Sequence, residues 1–458
     1  MVRKERVGGR SAGGTRSRFL WSWSMRWAVH KAVTPVILAA SVAAVASPAV
    51  SARTQLVLAT YGDGQDVNKW NEVVGAFTAR YPQYEVKVQI STFNEYPTKI
   101  VTQIATGNAP DVIMTWAQYK PKWVEQGLLL DVTDRWAASE TLKGAGFYPA
   151  AVDAARWNDR MYGVPFDYNS MVWYVNTTIL DEAGLAVPDD AWTVEDMRIT
   201  SRKALNPVKG ISGPGIPIDW GWGPNIQWYW NWTGHEWLDG TRTRVLVNDG
   251  KALDMFNWWL RARNDLSLPP DKSKGDFFGG YQSMWEGWFT YTRMIWDAFK
   301  QVKGREPYDF TLKPYPKAPS GNQRNFAQGH MWSIPAASTR HDDAWKLAEW
   351  LAGPEGQAAL TRLKIAAPGI LSESLWLSYL DYLPAAKQRE VVAFVHLKLY
   401  GGKGYARNFN YWTAFDVMNE VMIKHIRAIF QQGKAPENEL AIAREELENV
   451  LKQQGQNR

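Results

Sequence analysis

Two acids and a group of large aromatics are the side chains here whose type and placing suit a ligand or a reaction. Asp63 sits in Tyr61-Gly62-Asp63-Gly64, a turn directly behind the apolar run Leu56 to Thr60. Small molecules bind beyond the carboxyl ends of strands in open α/β sheets, so Tyr61 and Asp63 are binding candidates. Asp167 lies in Pro165-Phe166-Asp167-Tyr168-Asn169, where Asp and Asn read first as turn formers. Glycoside hydrolysis needs two carboxylates ~5 to 10 Å apart, so Asp63 and Asp167 would make an acid pair if the fold joined them. The aromatics gather in residues 214–240, which hold six tryptophans among glycine and proline with no amphipathic period. Such a stretch reads as an irregular loop that either folds on a small core of its own or offers flat platforms to a ligand. Trp222, Trp228 and Trp230 are the candidates there. The chain has no cysteine, and its six histidines show no paired ligand spacing, which argues against a structural zinc site.

The elements that must hold these residues follow from periodicity. After the strand at Leu56 comes a helix opened by Asp66, with Val67, Trp70, Val74 and Phe77 three or four apart and Tyr81-Pro82 as its stop. Val86, Val88 and Ile90 alternate as a second strand, and Tyr96, Ile100 and Ile104 give a second helix ended by Gly107. Asp111 to Thr115 is a parallel strand, and Trp123, Gln126 and Gly127 belong to the core and cap of the following helix. Two strand-helix repeats in about a hundred residues predict a doubly wound sheet. Val164 to Val175 reads as a strand end at Pro165 and then a strand buried on both faces, followed by a short helix closed at Gly184. Thr193 and Asp196 have capping-box spacing, so a helix starts there. Lys251 to Arg263 is a structural helix. Helices over Ala344–Leu351 and Gln357–Leu363, and two more after Thr413, complete the chain.

The 458 residues allow two or three domains. The net charge of +6 comes from a leader: residues 1–52 hold eight of the 52 Lys and Arg and one of the 46 acids, leaving 44 against 45. The electrostatic footprint of a nucleic-acid binder is therefore missing. Arg18, Arg26 and Lys31 precede an apolar run, Val33 to Ala46, and Val50-Ser51-Ala52 offers a cleavage site, as in a secretory signal peptide. Met25 would begin a leader of more ordinary length. Without cysteine there is no lipidated N-terminus, so the expected product is periplasmic or extracellular and not lipid-anchored. Asn176-Thr177-Thr178 and Asn231-Trp232-Thr233 are sequons by pattern only.

The order VPFDYN, buried strand, AGL, Pro188, AW and helix start (residues 164–193) resembles the central signature of the extracellular solute-binding proteins of carbohydrate ABC transporters, family 1, the maltose-binding-protein-like group. TGNAPDVIMTW (106–116) and AWKLAEWLAGPEGQ (344–357) resemble two further signatures, and the likeness spans roughly residues 53–455. The resemblance implies a class II periplasmic-binding-protein fold: two α/β lobes, each a mostly parallel sheet flanked by helices, with the ligand cleft between them. Lobe 1 is expected over 53–167 and 308–364 and lobe 2 over 168–307 and 365–458, with crossings near Asp167, Tyr308 and Ile365. It puts Asp167 at the first crossing facing the ligand, and Trp116 at the cleft stacking on sugar, with Tyr119 three residues on. Met284, Gly287 and Trp288 match a place where the family has a helix, a Met and a ligand-reaching Gly-Trp, with Ser283 for the usual small residue. Gln328 to Trp332 resembles a glycine-rich turn that brings Trp332 toward the cleft. The implied function is a monomeric, non-enzymatic receptor, without cofactor, that hands a sugar or oligosaccharide to the permease subunits of an ABC importer. A secreted glycoside hydrolase is the alternative. A polyol phosphate or an oligopeptide is the other ligand class, although the candidates above include no Arg or Lys cluster to clamp phosphate.

Overall fold

The computed structural model describes residues 52–62, 66–214, 223–268, 272–301, 308–400, 405–408 and 412–456. The leader, Asp63 and Trp222 lie outside them. Strand β1 (Thr54–Tyr61) buries Leu56 and Leu58 completely and pairs in parallel with β2 (Tyr84–Ser91). The helix Asp66–Arg80 covers this pair, and its inward face is Trp70, Val73, Val74 and Phe77, while Val67 stands 41 % exposed at the first turn. A second helix, Tyr96–Ala105, leads to β3 (Val112–Trp116), which is parallel to β1 and buried at every position. A two-residue turn, Asn158 and Asp159, both at positive φ (46° and 62°), joins β4 (Arg156–Trp157) to β5 (Arg160–Met161). Asn and Asp tolerate that conformation best among residues with a Cβ.

The long strand β6 (Val164–Asn176) joins the two halves of the molecule. All thirteen residues are buried. Its first half is antiparallel to a later strand, with a register shift between Pro165 and Asp167, where proline removes a ladder donor. Its second half is antiparallel to β7 (Met284–Trp288) and β8 (Phe310–Lys313). The first-half partner is β9 (Asn325–Ser333), which also pairs with β3, while β10 (Ala406–Asn408) runs parallel to β9. Two hydrophobic cores result. Val164 and Phe166 pack in the first with β1 and β3; Tyr168 to Val175 pack in the second.

The second core is built mainly from helices, among them Val194–Ala204, Gly250–Leu266, Thr292–Lys300, Glu373–Tyr379 and Phe415–Gln432. The capping box of Thr193 and Asp196 is formed in full. Three features differ from expectation. Residues 223–233 are a helix, not a loop, and nearly every described side chain on it is buried. A helix buried all round, with Gln227, Asn231 and Thr233 buried beside its tryptophans, has no hydrophobic stripe to read, which is why its sequence looked irregular. Met284–Trp288 is a strand rather than a helix, so the second-core sheet around β6 is antiparallel rather than mostly parallel. Gln328 to Trp332 is strand, not a turn. Gly329 is there for close approach: a Cβ would lie 2.9 Å from the Ala154 Cβ and 3.0 Å from the Asp167 carbonyl oxygen.

Tyr308, Phe310, Leu312 and Tyr315 pack in the second core, and β9 carries the chain from Phe326 in that core to Met331 and Trp332 in the first. Helices His341–Ala352 and Pro354–Arg362 stay with the first core, and packing changes sides between Ala366 and Ala367. Among the described residues no helix is long and apolar enough to cross a membrane.

Candidate functional site

A groove of about 690 Å³ runs between side chains carried by the two cores. From the first-core side come Glu125, at the end of helix Lys120–Glu125, and Trp157 and Asn158 of the β4–β5 hairpin. From the second come the loop Thr241–Arg244, Trp412 and Lys452. A smaller cavity of about 190 Å³ shares Trp157 and Arg242 with the groove and continues to Lys120, Asp153, Arg156 and Gly329. The groove volume falls within the ~300–1,000 Å³ common for small-molecule sites.

Local chemistry fixes this wall. Leu238 and Val245 pair as an isolated bridge, and the Asp239 carboxylate accepts from the Thr243 and Arg244 amides (2.8 and 3.1 Å) and the Thr241 hydroxyl (2.9 Å). Those bonds, led by the Thr243 amide, hold the Asp239 carboxyl below its ordinary range. The loop they tie down keeps Arg242 at φ 59° and puts its guanidinium carbon 5.5 Å from the Trp157 ring centroid. Lys122 Nζ meets Asp416 Oδ2 at 2.9 Å, a second link between the cores. Lys120 is only 7 % exposed, and its ammonium donates to the carbonyls of Ala154 (2.6 Å) and Arg156 (2.7 Å). Burial pulls its pKa down to about 7, against a weaker upward pull from Asp153.

The residues singled out in the sequence divide into three groups. Tyr61, Trp116 and Tyr119 come together: Trp116 lies 5.3 Å from Tyr61 and 5.6 Å from Tyr119 by ring centroid. Yet Trp116 is only 3 % exposed, because Phe93 stacks on it at 4.4 Å and Tyr96 at 5.9 Å. The ring this cluster presents to solvent is Phe93, at 48 % exposure, which sequence reasoning missed although it follows the carboxyl end of β2. Asp167 forms the second group. Its Oδ1 accepts from the His330 amide (3.0 Å) and Nδ1 (2.7 Å), tying β6 to β9 where the ladder is interrupted. Burial, then the Asp167 charge, raises the Tyr61 phenol well above its usual range, and the same two causes act on Tyr379 of the second core.

The third group is packing. Trp332 is fully buried 4.6 Å from Phe166 and 5.7 Å from Trp70, so it faces the first core rather than a cleft. Trp228 is fully buried too, donating to Glu286 at 2.7 Å with its ring 4.6 Å from Trp259. Trp230 is 7 % exposed under the Arg324 guanidinium, 4.7 Å from its ring centroid, and also lines a cavity of about 410 Å³ with His235 and Arg242. Trp288 is half-buried and edge-on to Phe326 at 5.7 Å. Trp157, Arg242 and Trp412 of the groove, and Lys120 of the smaller cavity, were missed as ligand candidates. Trp157 beside the Asn-Asp turn was the available signal, since a large ring at a hairpin tip has no core to enter.

Two α/β cores joined through shared strands, with a groove between side chains of both, are the architecture of a two-lobed binding protein. The family model described as bacterial extracellular solute-binding protein matches residues 61–358, and the chain belongs to that family. Solved structures share its fold. An ABC substrate-binding protein from Listeria monocytogenes in complex with cycloalternan is similar with a TM-score of 0.71 at 17 % identity, covering 87 % of this chain and 99 % of its own. The sugar-binding protein MalE from Xanthomonas citri has a TM-score of 0.71 at 17 % identity, covering 88 % and 98 %. A maltose-bound MalE3 from T. maritima has a TM-score of 0.69 at 17 % identity, covering 87 % and 100 %.

Proposed function

We propose that this protein is the extracytoplasmic receptor of an ABC importer, which captures a sugar or oligosaccharide between its two lobes and delivers it to the membrane permease without chemical change. The observation that carries the reading is the groove of about 690 Å³ walled by the partly exposed Trp157 from the first-core side and by the Thr241–Arg244 loop from the second, with hydroxyl, carboxylate and guanidinium groups between them. An indole face suits the apolar face of a pyranose ring, and the polar groups suit its hydroxyls. The similar structures that hold cycloalternan and maltose support the same ligand class. The Lys122–Asp416 pair and the Arg242–Trp157 contact join the lobes, and a ligand touching both walls favours that arrangement by its differential affinity. The lobes exchange along β6, along β9 and at Ile365 to Ala367.

A thermal-shift screen of mono- and oligosaccharides tests this. At 100 times its dissociation constant a true ligand adds about 2.7 kcal/mol of stability. The expected result is a raised Tm with one sugar class and quantitative recovery of that sugar intact after long incubation. Trp157→Ala should then weaken affinity by about tenfold with unchanged Tm of the unliganded protein, because the ring is partly exposed and supports no core. No stabilisation by any sugar, or cleavage of the sugar that binds, would refute the receptor.

A further inference from the structure

Charge is unevenly spread over the walls just described. The smaller cavity is lined by Arg156 and Arg242, and by Lys120, whose buried ammonium is already bound to two carbonyls, against one carboxylate among its described residues, Asp153. In the larger groove Arg244 and Lys452 join Arg242, and of the two acids there Glu448 is already engaged by Arg444 at 2.8 Å. Among the described residues, no ion pair engages Arg156 or Arg242, while Arg244 acts by charge on the Asp239 carboxylate. Elsewhere arginines on this chain do find carboxylates, as Arg198 does with Glu195 and Asp265.

Arg242 stands apart from the others. It lines both cavities, and a third of about 410 Å³ behind its loop. Its φ of 59° is unfavourable for a residue with a Cβ, and persists because the three Asp239 bonds fix the loop around it. A strained conformation maintained by its surroundings points to a function for the side chain so aimed. The guanidinium lies beside Trp157, so a sugar ring stacked on the exposed part of that indole would bring its substituents to the arginine fork. That fork matches a carboxylate bidentately, whereas a hydroxyl offers it one acceptor atom.

We infer that the ligand of this groove is an acidic oligosaccharide bearing uronic-acid carboxylates, and that Arg242 is the residue that distinguishes it from its neutral counterpart. The inference rests on the receptor reading and deepens it. The groove and the adjoining cavity together exceed one sugar ring, and Arg242 lines both while Arg156 lines the second, so carboxylates on neighbouring sugars would meet these two guanidinium groups.

Calorimetry on the wild-type protein with matched pairs tests the assignment: oligomers of galacturonic, glucuronic and mannuronic acid, each beside the neutral oligomer of the same configuration. The expected result is that the tightest ligand is a uronate, preferred over its neutral partner by about tenfold or more, as one charge-assisted pair supplies. Its affinity should fall with added NaCl. Arg242→Gln, which retains hydrogen bonding without charge, should remove most of that preference by lowering uronate affinity about tenfold more than the neutral partner's; the melting temperature of the variant checks its fold. A neutral sugar as the tightest ligand, or an undiminished uronate preference in Arg242→Gln, would overturn the inference and leave the receptor standing. If neither set binds, the inference falls, and the receptor falls with it only if the wider sugar screen is also blank.

Discussion

Trp228→Ala is expected to destabilise the protein by about 3–5 kcal/mol, the range for truncating a large buried aromatic, and not to act through the ligand at all. The side chain is fully buried, edge-on to Trp259 at 4.6 Å and to Tyr315 at 5.5 Å, so its loss opens a cavity inside the second core. Its indole N–H also donates to the fully buried Glu286 carboxylate at 2.7 Å, and removing it leaves that acid with Tyr315 alone. A buried acceptor that loses a partner adds roughly 1–3 kcal/mol to the cost. Denaturant unfolding should therefore show a much lower midpoint, with unchanged sugar affinity in whatever fraction stays folded. A variant as stable as wild type but unable to bind would restore Trp228 as a ligand platform.

The same acid makes stability depend on pH. Burial raises the Glu286 pKa from 4.5 to about 7, with the Tyr315 and Trp228 hydrogen bonds opposing. The unfolded chain releases this proton near the ordinary value and the folded chain only near 7, so between the two the folded state binds more protons. Stability therefore falls as pH rises through that window, and is regained on acidification toward it. The size is on the order of 3 kcal/mol, from about 1.4 kcal/mol per pKa unit. Glu286→Gln keeps the shape, with the amide oxygen accepting from Trp228 and the amide nitrogen donating to the Tyr315 oxygen. Its melting temperature should vary less between about pH 5 and pH 7 than that of wild type, and exceed it at the upper end. Parallel profiles for the two proteins would show that another group governs the slope.

How far the sequence foretold this molecule depended on whether a signal was local. The helix Asp66–Arg80, β1 to β3 and the capping box at Thr193 carry their own periodicity or cap, and appear as expected. Where a residue's role comes from packing across the fold, the local reading failed. The tryptophan-rich helix Gly223–Thr233 shows no stripe because helices and sheet surround it. Gly329 resembled a turn residue and instead lets β9 pass against Asp167 and Ala154. Trp228 and Trp332 looked like spare aromatics and fill cores, whereas Trp157 and Arg242 drew no notice and wall the groove. Their meeting joins residues 85 positions apart through the β4–β5 hairpin and the Asp239 loop, and neither element has a sequence period.

The most direct measurement is a crystal structure of the protein with the tightest sugar from the screen. The account predicts that sugar in the groove, against Trp157 on one side and the Thr241–Arg244 loop on the other, with its polar groups within hydrogen-bond reach of Arg242. A sugar bound to the surface of one lobe alone, making no contact with the other, would contradict it.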